Sequence, residues 1–232
     1  MSSLISVIMT TYNSEKTVDV AIQSILKQTF SEFEFLICDD GSTDSTFKIL
    51  ENYAELDSRI KVIKNKKNLG LTKSLNKLID LCCGDYIVRQ DSDDYSNPER
   101  LKYQLDKATL TNCDVVFSRA KTIDTNKLIP GISYFLPYKL VVNFKNPFIH
   151  GTLFISSTIL KKIKYDENFY FAQDYKLYFD LINKKVKIKK IFNTLYFLNT
   201  ENNISSKYKF EQKYYANCAR SKTTPKEYIP NV

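Results

Sequence analysis

Tyr86-Ile87-Val88-Arg89-Gln90-Asp91-Ser92-Asp93-Asp94-Tyr95 places three carboxylates within four positions, directly behind a short apolar run. Coulomb repulsion disfavours such a cluster unless a cation or strong donors neutralise it. Mg²⁺ and Mn²⁺ prefer oxygen ligands of this kind and usually bring substrate phosphates with them. The plainer reading is a solvated acidic turn capping the helix that Pro98 opens, the commoner outcome for an isolated Asp-x-Asp-Asp. What the rest of the chain brings to the same place decides between them.

Outward from this turn, strands and helices alternate. Leu4 to Met9 is an apolar run of strand length closed by Thr10-Thr11-Tyr12-Asn13-Ser14, and Val18, Ile22, Ile25 and Leu26 follow at helical spacing. Ser14 or Asn13 is placed to cap that helix. Phe33 to Cys38 predicts a second strand, ending at Asp39-Asp40-Gly41-Ser42-Thr43-Asp44. Phe47 to Tyr53 predicts the next helix, Ile60 to Ile63 a strand, Leu71 to Leu81 a helix, and Tyr86 to Arg89 the strand that delivers the acidic turn. Near-continuous apolar strands between amphipathic helices argue for a parallel sheet covered on both faces. Ligands of such sheets bind at the carboxyl ends of the strands. The turns at residues 10–15, 39–44 and 91–94 should therefore share one rim.

Farther on, a helix is predicted after Pro98 and a strand over Asp114 to Ser118. Short strands and a helix near Tyr138 to Phe144 are expected within the Pro- and aromatic-rich stretch 120–146. A strand over Thr152 to Ile155, helices over Ser157 to Ile163 and Asp174 to Asn183, and strands near Val186 to Ile191 and Leu195 to Leu198 complete the pattern. The tail from Lys207 reads as a basic amphipathic helix fraying after Thr224-Pro225.

The 232 residues are 43% hydrophobic and 26% charged, ordinary values for one globular domain with a small appendage. No run of eighteen apolar residues predicts a membrane span, and the first residues lack the pattern of a secretion signal. Five cysteines without CxxC spacing suit reduced thiols of a cytosolic protein rather than disulfides or a zinc site. The formal charge of +8 gathers in the second half, in Lys161-Lys162, Lys184 to Lys190 and Lys207 to Lys213. Solvated lysine explains most of it; an anionic membrane or a phosphorylated ligand is the alternative. No nucleic-acid motif accompanies the lysines, so nucleic acid is not expected.

Six stretches in order carry a resemblance. Val7 to Asn13, Ser24 to Phe30, Cys38 to Asp44, Asn68-Leu69-Gly70-Leu71, Gly84 to Asp94 and Pro98-Glu99-Arg100-Leu101 are similar to the front half of a family 2 glycosyltransferase. Asn146-Pro147-Phe148-Ile149-His150 and Ala172 to Leu177 resemble that family's acceptor half. The resemblance implies a GT-A fold, Rossmann-like, with a mostly parallel sheet, helices on both faces and a smaller acceptor-side β/α region. Residues 1–206 would form one such domain, with a nucleotide half to about 118 and an acceptor half over 119–206; residues 207–232 would be the tail. It also implies inverting, Mn²⁺- or Mg²⁺-assisted transfer from a nucleoside diphosphate sugar, commonly UDP-linked, to a hydroxyl of a cell-surface glycan or lipid-linked saccharide. Such a protein is expected in the cytoplasm, peripheral at the inner face of the membrane.

Carried over residue by residue, Thr10 and Tyr12 match positions holding the uracil and ribose. Asp40 matches the carboxylate that accepts from the base, with Asp39 beside it. Glu15 and Asn68 are further candidates for the nucleotide pocket. Asp91-Ser92-Asp93 matches the DxD motif, with Asp93 the metal ligand and Asp91 orienting ribose or metal. Asp174 matches the general base, and a helix N-terminus is expected to keep it ionised. An ordinary helix cap is the plainer reading of Asp174, and a structural hydrogen bond that of His150, the only histidine; His150 and Gln173 are the acceptor-side candidates. Tyr165, Phe169, Tyr170 and Phe171 suit either a sugar platform or the core.

Gln173, Asp180 and Leu198-Asn199-Thr200 depart from residues common in the family, and Lys73 or Lys207 is a candidate to supply positive charge to the diphosphate. A sugar nucleotidyltransferase is the alternative enzyme, although no Gly-rich loop follows the first strand. A receiver-like regulatory domain would carry its acidic pair after the first strand, not the second.

Overall fold

The computed structural model describes residues 3–200 and 208–226. Strands β1 (Ile5–Thr11) and β2 (Phe33–Asp39) are buried along their whole length, as central strands covered on both faces must be. They pair in parallel, and β3 (Ile60–Lys64) and β4 (Tyr86–Asp91) extend the parallel sheet on either side. Helices α1 (Val18–Leu26), α2 (Thr46–Leu56) and α3 (Leu71–Leu81) make the connections.

Period-two alternation divides the strands between two cores. Val7, Met9, Phe35 and Ile37 pack with Val18, Ile22, Ile25 and Leu50, and with Leu101 and Ala108 of α4 (Arg100–Thr111). Ile8, Leu36 and Cys38 face the other way, onto Leu75, Leu78 and Ile79 of α3. That second core also takes Leu160 of α6 (Ser157–Ile163) and Leu177 and Leu181 of α7 (Gln173–Asn183).

The acceptor side continues the same sheet with mixed pairing. Strand β8 (Phe154–Ser156) runs antiparallel to β4 and to β6 (Val115–Thr122), which pairs in parallel with β9 (Ile188–Leu198). Strand β5 (Tyr95–Ser96) closes the order β3-β2-β1-β4-β8-β6-β9-β5, and β7 (Leu128–Ile129) pairs with β6. Strand β6 crosses the expected junction at residue 118, so the two halves share one unbroken sheet. They are also tied by side chains. Asn76 of α3 donates to Tyr165 O at 2.9 Å and accepts from Tyr165 N at 3.0 Å, and the Thr72 hydroxyl donates to Phe169 O at 3.0 Å.

Several expectations need correction. The two strands expected at Val186–Ile191 and Leu195–Leu198 are one strand, β9, which continues through an irregularity where pairing with β6 passes from Phe117–Lys190 to Arg119–Thr194. The strand expected from Thr152 starts at Phe154, because His150–Thr152 form a 3₁₀ turn. Neither Ser14 nor Asn13 caps α1 with its side chain: Ser14 offers its carbonyl, while Asn13 Oδ1 accepts from Thr43 N. Helix α5 (Tyr138–Val141) falls within the predicted stretch. The tail forms α8 (Lys209–Ser221), which lays Tyr215, Cys218 and Ala219 on Phe169, Phe171, Tyr175 and Phe179. Phe169, Phe171 and Tyr165 are therefore core residues; Tyr170 alone of that group is exposed. The five cysteines are free thiols. Among the described residues, no helix is long and apolar enough to cross a membrane.

Candidate active site

Strands β1, β2 and β4 end together, with Thr10 opposite both Cys38 and Asp91, and Thr11 opposite Asp39. The expected common rim is thus present, and hydrogen bonds fuse its turns. Asn13 N donates to Ser42 Oγ at 3.0 Å, Ser14 N to Thr46 Oγ1 at 2.7 Å, and Ser45 N to Glu15 Oε2 at 3.0 Å. The Ser14 and Ser92 hydroxyls lie 3.0 Å apart, joining the first turn to the acidic one. Thr10 is buried at the strand end, Tyr12 is 44% exposed, and Glu15 and Asn68 lie at the surface.

Asp40 accepts from Asn65 Nδ2 (2.7 Å), Leu69 N (2.9 Å), Ser74 Oγ (2.9 Å) and Gly70 N (2.8 Å). Three of these bonds fall on Oδ1 and one on Oδ2. Asp40 therefore fastens the loop 65–70 to the rim, and a base donor would share Oδ2 with Gly70 N. Asp39 is as buried but less satisfied: its Oδ2 accepts from Ser42 N at 3.3 Å, while its Oδ1 has no partner among the described residues. Gly41 joins them with φ +79°, and a Cβ there would come within 2.7 Å of the Lys67 backbone carbon. No other residue type fits that crossing of two loops.

The acidic turn rests on a buried polar platform. Gln90 Nε2 donates to the carbonyls of Asp91 and Asp94, both at 3.0 Å, and its Oε1 accepts from Ser96 Oγ at 2.7 Å. Arg100, wholly buried, donates to Ser96 Oγ (2.8 Å), Arg89 O (2.9 Å) and Gly151 O (2.6 Å). Burial pulls its pKa down only to about 10, so it stays a cation at neutral pH. The Tyr196 hydroxyl accepts from Asp91 N at 3.0 Å.

The three carboxylates differ. Asp91 forms an ion pair with the buried Arg89 guanidinium. Asp94 is buried and accepts from Asn199 N at 2.7 Å; burial and its acidic neighbours push its pKa up. It anchors the turn to the chain just after β9 through a backbone N–H, a bond that does not depend on the side chains that depart from the family at Leu198-Asn199-Thr200. Asp93 is partly exposed and forms no ion pair with a described residue, and burial together with the Asp91 charge raises its pKa to about 6. A high proton affinity at a solvent-reachable carboxylate marks a place where a cation is wanted. No three metal-ligating side chains converge among the described residues. Asp91 is paired with Arg89 and Asp94 is held by Asn199 N, which leaves Asp93 as the carboxylate of the turn that could hold a hard ion.

Asp174 is the second residue of α7. Its Oδ2 accepts from Asn146 Nδ2 at 2.6 Å and its Oδ1 from Tyr175 N at 2.8 Å. Its pKa lies above the carboxylate range, first through burial, with the Asp91 charge adding to it. Burial therefore outweighs the helix terminus that was expected to favour the ionised form. His150 Nε2 is 2.7 Å from the Tyr165 hydroxyl, and burial and Arg89 hold its pKa down near 3, so it is neutral at ordinary pH. Gln173 is buried at the start of α7. Arg89 Nε and Nη1 and the Tyr178 hydroxyl are buried without a partner among the described residues. The charges of Asp91, Asp174 and Arg89 all act on the buried Tyr178 hydroxyl, so the acidic turn and Asp174 lie within electrostatic reach of one residue.

Asp180 pairs with Lys176 at 2.7 Å. Lys73 is exposed beside Tyr170, on the rim of a small recess with Gly70 and Glu167. Lys207 lies outside the described residues. Sequence reasoning gave no role to Arg89, Gln90, Arg100, Asn146 or Tyr196. Arg89 and Gln90 carried a signal, since polar residues inside an otherwise buried strand need partners.

Residues 6–187 match the sequence profile of Glycosyl transferase family 2. The chain belongs to that family. This family 2 glycosyltransferase domain is 37% identical over 169 residues to EpsE of Bacillus subtilis (strain 168), covering 69% of the chain and 59% of EpsE. It is 32% identical over 183 residues to the Escherichia coli UDP-Glc:alpha-D-GlcNAc-diphosphoundecaprenol beta-1,3-glucosyltransferase WfgD, covering 77% of the chain and 70% of WfgD. The crystal structure of S. aureus TarS 1-349 in complex with UDP-GlcNAc superposes with a TM-score of 0.72 at 25% identity, over 88% of this chain and 60% of that one. The fold is GT-A, and the chain spans about three fifths of EpsE and of the TarS fragment.

Proposed function

We propose that this domain transfers a sugar, with inversion, from a UDP-linked donor to a hydroxyl of a lipid-linked or cell-surface saccharide. The observation that carries the reading is Asp174: a partly exposed carboxylate, oriented by Asn146, with raised proton affinity and within reach of the Asp91 charge. An acceptor hydroxyl attacking the anomeric carbon must lose its proton, and a carboxylate of raised pKa is a better base for it. No second carboxylate is needed as nucleophile, and one displacement inverts the centre.

The nucleotide falls to the β1–β2 side of the rim. The Tyr12 ring offers a stacking face, Thr10 and Asp39 border the strand ends, and Asp40, Asn68 and Glu15 hold the loops that frame the base. Asp93 is the residue to hold Mn²⁺ or Mg²⁺, with Asp91 fixed beside it by Arg89 for ribose or metal. When bound, the ion offsets charge developing on the diphosphate as the bond to the sugar breaks. Arg89 also lends a fixed positive charge to the same region. UDP-GlcNAc in TarS and the UDP-glucose and diphosphoundecaprenol of WfgD's name support the donor and acceptor classes.

The test is a panel of nucleotide sugars with Mn²⁺ and a diphospholipid-linked acceptor, with the anomeric configuration of the product read by NMR. Inverted transfer from a UDP-sugar, lost in Asp174→Asn and Asp93→Asn, is expected. Full transfer by either variant, or a retained configuration, sinks the mechanism.

A further inference from the structure

The longest acid-free stretch of the sequence carries a cluster of exposed apolar side chains. Between Asp124 and Asp166 there is no Asp or Glu, and none between Asp180 and Glu201. Within those stretches, seven large apolar side chains stand in solvent: Leu128 (40% exposed), Ile132 (86%), Phe135 (65%), Leu136 (53%), Leu140 (62%), Phe144 (81%) and Phe192 (53%). Isolated exposed hydrophobics are ordinary, but a cluster is not. Here Phe135 stacks on Phe192 with ring centroids 5.3 Å apart, and Leu136, Leu140 and Phe144 recur at four-residue spacing through α5 and the turn after it. Exposed Lys139, Lys145 and Lys189 are interleaved with them.

The protrusion is held rigidly. Tyr134, 1% exposed, donates its hydroxyl to Phe117 O (2.9 Å) and Ile191 O (3.1 Å). Lys190 Nζ donates to the carbonyls of Tyr134 (2.5 Å) and Leu136 (2.7 Å). The fold thus pins the backbone of the turn and leaves its apolar side chains outward. The same segment runs into the candidate site: two residues beyond Phe144, Asn146 holds Asp174. Asn146, Lys145 and Lys127 line a groove of about 280 Å³ with Leu128, Ile129 and Pro130.

We propose that residues 132–145, together with Phe192, are a docking surface for an anionic lipid bilayer, seating the domain with this groove at the membrane surface. Aliphatic and aromatic side chains enter the headgroup boundary while the interleaved lysines meet anionic headgroups. The inference rests on the lipid-linked acceptor proposed above and gives it a route, since a membrane-borne saccharide would reach Asp174 without leaving the bilayer surface. It places the contact on the acceptor half rather than on the basic tail.

The chain has no tryptophan, so a single probe reads the contact directly. Leu140→Trp should blue-shift its emission on phosphatidylglycerol-containing vesicles and stay unchanged with phosphatidylcholine alone. In vesicle sedimentation, Phe135→Ser/Leu140→Ser/Phe144→Ser should weaken binding by roughly tenfold or more. Phe210→Ser, on exposed α8, should leave it unchanged. Thermal stabilisation by UDP-sugar, measured on the same variants, should be preserved and reports that they fold. Loss of binding in Phe210→Ser but not in the triple variant would overturn the proposal. So would a triple variant that changes oligomeric state, read by sedimentation velocity, with vesicle binding intact. A wild type that transfers sugar but ignores vesicles defeats the docking surface alone. One that binds vesicles through the patch but takes no nucleotide sugar defeats the proposed function alone.

Discussion

The side-chain amide of Asn146 reaches Asp174 Oδ2 at 2.6 Å, from a loop 28 positions earlier in the chain. This bond fixes where the candidate base points without neutralising it. Removing a general base costs roughly 10²–10⁴-fold in rate, so Asp174→Asn should lower kcat by that factor. Asn146→Ala should lower kcat by a smaller factor, about tenfold, with donor KM little changed, since orientation and not charge is lost. Steady-state kinetics with donor and acceptor varied separately distinguish the two.

The pH dependence has a definite sign. A general base acts deprotonated, and burial raises the pKa of the proposed base Asp174, so transfer should fall on the acid side at a higher pH than an ordinary carboxylate would give. His150, held near 3, contributes no limb near neutrality, and His150→Gln should leave the position of the acid limb unmoved. Stability runs the opposite way. A carboxylate whose folded pKa is raised costs the folded state stability at pH above that value, and the cost disappears below the unfolded pKa. Asp174→Asn should therefore melt no lower than the wild type at neutral pH while losing activity.

Metal affinity should weaken as pH falls through about 6, because protons compete with the ion for Asp93. Titration calorimetry of Mn²⁺ in the presence of UDP at several pH values gives the midpoint. Asp93→Asn should remove the metal-dependent part of UDP binding, and chelation should reproduce that loss in the wild type. Metal-dependent UDP binding that survives in Asp93→Asn would move the ion elsewhere.

Gly151 tests the platform from a distance. A Cβ there would overlap the Tyr196 ring, whose hydroxyl accepts from Asp91 N. Gly151→Ala should cost about 1–3 kcal/mol in stability, as overpacking does, and loosen the acidic turn. Chemical denaturation measures the first effect and metal-dependent UDP affinity the second.

What could be read from sequence follows how local each signal is. The parallel strands β1 to β4 were legible because apolar runs and polar turns alternate at short range, and their common rim followed from the topology. Strand β9 was misread as two because its continuity is set by pairing with β6, which no local pattern records. The division of labour among Asp91, Asp93 and Asp94 was only half visible. It depends on Arg89, Asn199 and Tyr196, and the last two lie 105 positions from the aspartate each one contacts. The competing demand on Asp40 was equally hidden, since its four donors come from residues 65–74.

The two bonds between Asn76 and the Tyr165 backbone set a rule for building hybrids. A donor-binding front joined to a foreign acceptor-binding back at residue 118 would keep the β6 ladder only if the new partner strands matched it. It would also need an asparagine on α3 facing a loop of matching length ahead of the base. Chimeras that carry over α3 with the back half, rather than the front, should be the ones that retain turnover.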